Sequence, residues 1–169
     1  MEVRMLDNEV LAAVKGGMKG ELDSVTVYEE AAAVSEGDVK EFFLARAAEE
    51  KKHFNYLLEY YRTKTINLTP ERDAHAELGG SWRSAIIGEA FLRQVAASRH
   101  LSAAVAAAAH LEADAVRHYR SWLERAQAPE LKRLLGMLVE WEERHYSDLL
   151  LMQEEMERYY FEVNRFEPF

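Results

Sequence analysis

The segment 131–152 reads LKRLLGMLVEWEERHYSDLLLM, with apolar residues at alternating steps of three and four. This spacing places the apolar side chains along one face of an α-helix, as in the seam of a helical bundle. The seam consists of Leu131, Leu135, Leu138, Glu142, His145, Leu149 and Met152. Two of these positions hold polar residues where buried apolar residues are expected. The segment therefore predicts a bundle helix with a Glu-x-x-His pair on its buried face.

Three other segments show the same spacing, so the sequence predicts four long helices. The first is expected to begin at Asp7, which is a good N-cap residue. Ala, Glu and Leu are abundant and only 3 Pro are present, which favours helix throughout. The predicted helices cover about 7–35, 38–64, 99–127 and 129–160.

The connections between these helices indicate the topology. The break after residue 35 is short and makes the first two helices antiparallel neighbours, whereas 65–97 reads as a long crossover. An additional helix over 82–97 is left open by an ambiguous pattern. The aromatic tail, 161–169, is expected to leave the last helix. We predict one all-α domain over 1–169, a four-helix bundle with one long crossover between helices two and three, as in ferritin-like bundles.

Composition excludes several classes of partner. The 169 residues include 21 Lys and Arg against 30 Asp and Glu, and the net charge of -9 disfavours nucleic acid and anionic membranes. With no Cys, any metal has to bind to carboxylates and imidazoles. The longest apolar run, 103–109, is too short to span a membrane, and 1–10 contains no secretory signal. A cytoplasmic location is the default expectation.

Each of the four seams contains an acidic residue at a core position. The candidate metal ligands are Glu21, Glu50, His53, Glu112, Glu142 and His145. Each His follows its Glu by three residues, so both side chains lie on the same helix face. The halves of the chain also repeat, because Tyr28 follows Glu21 by seven residues and Tyr119 follows Glu112 by seven. This duplication predicts two equivalent half-sites about a pseudo-twofold axis.

Four carboxylates facing an apolar interior are strongly destabilising unless they are protonated or neutralised. We expect no Lys or Arg beside them in the seams, and we expect Glu49 and Asp114 to be solvated. Two divalent or trivalent ions would neutralise the acids. Mixed carboxylate and imidazole ligands suit iron or manganese, with zinc as a substitute, and the pattern is that of di-iron and di-manganese carboxylate bundles.

The remaining polar residues near the seams have weaker assignments. Tyr28 and Tyr119 are either large core residues with satisfied hydroxyls, or they donate to a glutamate ligand or act in redox chemistry. The other histidines are expected at the surface or just outside the ligand set. These are His75, His100, His110 and His118.

The paired Glu-x6-Tyr and Glu-x2-His motifs resemble those of rubrerythrin and its erythrin-like relatives in the ferritin-like superfamily. The resemblance implies a non-haem di-iron centre. It implies that Glu50 and Glu142 bridge the two irons. It further implies that Glu21 and His53 complete one iron, and that Glu112 and His145 complete the other.

The chain departs from the rubrerythrin pattern in two respects. Rubrerythrins usually carry a C-terminal rubredoxin domain with a Cys-ligated iron, but these 169 residues contain no Cys, so we expect a separate electron donor. Peroxidase-type members carry a further glutamate one turn after the helix-three ligand, and here that position is Ala115. This alanine weakens the inference to fast peroxide reduction.

The favoured function is a di-iron oxidoreductase that reacts with hydrogen peroxide or O2. An iron-storage or ferroxidase protein, a metal-stabilised structural or partner-binding bundle, and an oxygenase acting on an organic substrate remain alternatives. The long crossover and the aromatic tail predict a homodimer, and exchange of helices between its subunits is left open.

Overall fold

The structure is a computed structural model that describes residues 2–66, 82, 85–86 and 88–164. The described residues form five helices and no strand, so the predicted all-α bundle is confirmed. The helices are α1 (Glu2–Ala33), α2 (Gly37–Thr63), α3 (Glu89–Ala97), α4 (Arg99–Arg125) and α5 (Pro129–Asn164). No helix in the described ranges has the length and apolar character needed to cross a membrane.

Two predicted helix ends differ from the structure by more than two residues. The first helix begins at Glu2 and runs through Asp7, because an Asp is a good N-cap but is also tolerated within a helix. The last helix continues through Phe161 to Asn164, so the tail does not leave the helix at residue 161. The segments 67–81 and 165–169, which contain His75 and the last aromatic residues, lie outside the described residues.

Part of the connection between α2 and α4 is helical. The ambiguous segment 82–97 contains α3, which packs against α4 and α5. Ser98 separates α3 from α4 and caps the latter, since its side chain accepts a hydrogen bond from the backbone N–H of Leu101 at 3.3 Å.

The helix directions follow from two contacts between α1 and α4. Tyr28 meets Glu112, and Tyr119 meets Glu21, so the two helices run antiparallel. Short turns make α1 antiparallel to α2 and α4 antiparallel to α5. Helices α2 and α4 therefore run in the same direction, which a long crossover between them permits.

The apolar core has two parts, with polar residues between them. One cluster contains Tyr28, Phe43 and Leu149, and the other contains Leu57, Tyr119 and Leu138. Along every long helix the predicted Glu and His ligands fall between the residues that build these two clusters. The bundle thus carries a buried polar layer near the middle of its length.

Gly17 allows α1 to approach α4 closely. A Cβ atom at this position would lie 2.8 Å from a ring carbon of Tyr119 and 3.1 Å from Leu57. Gly16 has the same role beside His118, where the corresponding distance is 2.6 Å. Helices α1 and α4 therefore pack closely at these two glycines.

Candidate metal centre

All six predicted ligands lie in the buried polar layer. Helix α1 supplies Glu21, α2 supplies Glu50 and His53, α4 supplies Glu112, and α5 supplies Glu142 and His145. Their exposed fractions are between 0% and 3%. They are buried because each occupies a core position of its seam, as the three-and-four spacing requires.

Two glutamates occupy the middle of the cluster. Glu50 lies 3.1 Å from Nδ1 of His53 and 2.7 Å from Nδ1 of His145. Glu142 contacts the same two nitrogens, at 2.9 and 3.3 Å. One donor atom from each of these four residues lies within 4.8 Å of the others, an arrangement that can hold a metal ion.

The other two glutamates lie at opposite ends of the cluster. Glu21 lies 3.6 Å from Nδ1 of His53, and Glu112 lies 3.9 Å from Nδ1 of His145. Each outer glutamate is thus associated with one histidine, whereas each central glutamate contacts both. The arrangement has the pseudo-twofold symmetry that the repeated motifs predict.

The protonation of the metal-free cluster is uneven. Burial, with the negative charge of Glu142, raises the pKa of Glu21 well above its usual value, and burial with the charge of Glu50 does the same for Glu112. Burial alone would also raise the pKa of Glu50, but the neighbouring histidines outweigh it and hold that pKa well below normal. Glu142 is likewise lowered by the histidines, against burial and the charge of Glu50.

The two histidines show the opposite effect. Burial disfavours their charged forms, but the pKa of His53 is raised well above normal by Glu142 and Glu50. The pKa of His145 is raised by the nearby carboxylates of Glu50, Glu142 and Glu49, against burial and the charge of Arg46. These shifts favour protons on both histidines and on the outer glutamates when no metal is bound, which would offset the charge of the two central glutamates.

A pair of metal ions would satisfy the buried oxygen and nitrogen atoms of this cluster better than protons alone. One oxygen each of Glu50 and Glu112, both oxygens of Glu142, and Nδ1 of His145 are buried close to one another but make no hydrogen bond of ordinary geometry. Such atoms are rare in native interiors unless they bind an ion or water. Four glutamate charges also match two divalent ions, so the buried Glu and His cluster fits a metal site.

The two tyrosines connect the halves of the site reciprocally. Tyr28 on α1 donates a hydrogen bond of 2.5 Å to Glu112 on α4, and Tyr119 on α4 donates to Glu21 on α1. Burial and the adjacent carboxylate raise the pKa of both hydroxyls, which therefore stay protonated as donors. Each tyrosine orients the outer glutamate of the opposite motif.

A buried ion cluster beside the site corrects two expectations. Glu49 is only 3% exposed and is not solvated, and Arg46 is a buried cation near the seam, also 3% exposed. Arg46 donates to Glu49 at 2.6 Å and to Asp148 at 2.5 Å. The sequence places both charges near the motifs, because Arg46 precedes Glu50 by one helical turn and Asp148 follows His145 by nearly one, but this spacing does not show that they are buried.

The other predicted neighbours lie farther from the cluster. His118 is partly buried and donates to the backbone oxygen of Ala13 at 2.8 Å, while His100 and His110 are exposed. Asp114 is exposed, as expected, and pairs with Arg117. Ala115 is partly buried and packs against the cluster of apolar residues around Tyr119.

The fold and the buried cluster define a class of protein, the ferritin-like bundles with a carboxylate and histidine metal site. The sequence model of the Rubrerythrin family matches residues 13–153, which include all six predicted ligands and both tyrosines. The chain belongs to the Rubrerythrin family, and the resemblance seen in its motifs is confirmed. No curated protein and no solved structure matches the chain significantly.

Proposed function

We propose that the protein is a non-haem di-iron oxidoreductase whose oxidant is hydrogen peroxide or O2. The observation that carries the proposal is the pair of central glutamates, each within 3.3 Å of both histidines. Such an arrangement suits two metal ions that share the central carboxylates. Two ferrous ions bound there would supply two electrons at one place, one from each ion.

The contacts support a specific division of roles. Glu50 and Glu142 contact both histidines and are proposed to bridge the two ions. Glu21 and Glu112 each approach one histidine and are proposed as terminal ligands, the former with His53 and the latter with His145. This division is the one implied by the resemblance to rubrerythrins.

The surrounding residues favour a small oxidant. The six ligands are at most 3% exposed, so bulk water and large substrates are kept away from them. A cavity of about 360 Å³ lies elsewhere, near the turn between α4 and α5, and none of its lining residues belongs to the cluster. Tyr28 and Tyr119 hold the outer glutamates, which limits how far those carboxylates shift as the metal charge changes.

The test starts with iron reconstitution of metal-free protein followed by elemental analysis. We expect two iron ions per chain, and rapid mixing of the ferrous protein with hydrogen peroxide and with O2 should oxidise both. A saturating value of one or zero contradicts the dinuclear site. Ferrous iron that does not react with either oxidant would favour a structural role for the metals.

A matched pair of variants separates the site from general effects of charge. Glu142→Gln removes a central carboxylate, and we expect it to lower the iron content below two. Glu143→Gln removes the next residue's charge, which is exposed and paired with Arg120 at the surface, and should leave the content at two. Assembly into a large shell, seen as a high mass by light scattering, would instead favour iron storage.

A further inference from the structure

The pseudo-twofold symmetry of the ligands is broken immediately around them. The residue before each Glu-x-x-His motif packs against the histidine of the other motif. On α2 this residue is Glu49, which reaches His145, and on α5 it is Trp141, which reaches His53. Equivalent positions of the two halves thus carry a carboxylate and an aromatic ring.

The environment of His145 is charged and tightly held. One oxygen of Glu49 lies 3.0 Å from Nε2 of His145 and accepts from Arg46 at 2.6 Å. Arg46 is fixed in turn by Asp148, at 2.5 Å. The Nδ1 atom of the same imidazole faces the central glutamates, at 2.7 Å from Glu50. Glu49 therefore assigns one ring nitrogen to a hydrogen bond and leaves the other for the ligand cluster.

The ring face of His53 is covered by an aromatic side chain. The imidazole stacks on the indole of Trp141, with 5.0 Å between ring centroids and 9° between ring planes. The ring of Tyr56 packs against the same indole, with 5.7 Å between centroids. Stacking fixes the plane of the imidazole, and the indole that provides it is uncharged, in contrast to the carboxylate of Glu49. The two histidines are thus oriented by different means.

We propose that Glu49 is a positioning residue that makes the two metal positions unequal, so that the His145–Glu112 end holds its ion more tightly than the His53–Glu21 end. This inference rests on the proposed dinuclear site. A carboxylate that accepts from the far nitrogen of a ligating histidine orients the ring and increases its donor strength, and removing such a partner commonly lowers metal affinity about 10–100-fold.

The test is a calorimetric titration of the metal-free chain with Co²⁺. Unlike ferrous iron, this ion is not oxidised by air at such a site. The natural sequence should bind two ions in two resolved steps. Glu49→Gln keeps the size of the side chain and removes its charge. We expect it to weaken the tighter step about 10–100-fold and to change the weaker step by less than about threefold.

Two further variants serve as controls. Glu143→Gln removes one negative charge at the surface of α5 and should change neither step. Trp141→Phe alters only the aromatic environment of His53 and should affect the weaker step alone. If Glu49→Gln does not fold, Asp148→Asn replaces it. This substitution removes the second carboxylate that pairs with Arg46, so that Glu49 alone has to neutralise the guanidinium. It should weaken the tighter step to a smaller extent.

A spectroscopic readout separates positioning from general stability. In the Co²⁺ protein the exchangeable ring N–H of each ligating histidine gives a strongly shifted proton resonance. Glu49→Gln should move or broaden the His145 resonance and leave the His53 resonance in place. Equal weakening of both steps, or no change in either, overturns the inference while the dinuclear site stands. Binding of fewer than two ions by the natural sequence overturns both.

Discussion

At the scale of single residues, the metal-free site is balanced by protons that metal ions have to displace. The pKa values of Glu21, Glu112, His53 and His145 are all raised, so the native chain holds more protons than the unfolded chain. The stability of the metal-free protein therefore falls as pH rises from the ordinary pKa values of these four groups to their raised values. Metal binding requires the deprotonated ligands and becomes more favourable over the same range.

We therefore expect the metal-induced rise in melting temperature to grow as pH is raised from about 6 to about 8. The lowered pKa values of Glu50 and Glu142 do not oppose this trend, because both groups stay ionised throughout that window. The measurement is thermal unfolding with and without Zn²⁺, a redox-inert probe. Glu112→Gln should reduce the rise at every pH. A rise that is constant or decreases with pH contradicts the account.

The tyrosine hydroxyls provide a second prediction at this scale. Tyr119→Phe removes the hydrogen bond to Glu21 and leaves a buried carboxyl without that donor. We expect a loss of about 1–3 kcal/mol in the unfolding free energy of the metal-free protein. Chemical denaturation measures it, with Tyr61→Phe, at a 41% exposed position, as the control. Equal effects of the two substitutions would show that the hydroxyl of Tyr119 is not used.

At the scale of helices, the glycines of α1 differ in what surrounds them. The Cβ of Gly17→Ala would approach the ring and hydroxyl of Tyr119, at 2.8 and 2.9 Å, whereas nothing lies within 4 Å of a Cβ at Gly20. Gly17→Ala should therefore destabilise the fold, because the buried Tyr119 ring has to shift away from Glu21. Gly20→Ala should stabilise it by about 0.5–1 kcal/mol.

Unfolding in urea provides the comparison, since both variants make the same chemical change three residues apart. The natural protein should fall between them. A stabilising Gly17→Ala would show that α1 moves away from α4 without cost, and the close approach of these helices would then have no role in holding the tyrosine.

The helix seams explain how much of this site the sequence predicts. Seam positions are periodic, so the six buried Glu and His residues and the polar layer that they form can be located from their spacing alone. The exchange of Tyr28 and Tyr119 between opposite glutamates cannot, because it depends on how far α1 is shifted along α4. Arg46 and Glu49 lie beside the seam, where charged residues are usually solvated, and only the packing of α2 against α5 shows that they are buried.

At the scale of the whole molecule, the end of α5 exposes apolar residues. This helix has 36 residues, against 27 in α2 and in α4. In its last turns Tyr160, Phe161 and Val163 are 54%, 51% and 60% exposed. A cluster of exposed apolar side chains usually marks a contact surface.

We accordingly predict a homodimer formed through the end of α5, with exchange of helices as one arrangement that the long connection permits. Phe161→Asp together with Val163→Asp places two charges on this surface without touching the core, so the dimer should dissociate while helicity and melting of the monomer are retained. Light scattering at micromolar concentration gives the mass.

Leu22→Asp, at a 49% exposed position in the middle of α1, is the matched control and should leave the dimer intact. A natural protein that is monomeric, or a mass that both sets of substitutions leave unchanged, contradicts the assignment. Dissociation by Leu22→Asp alone would move the contact from α5 to the side of α1.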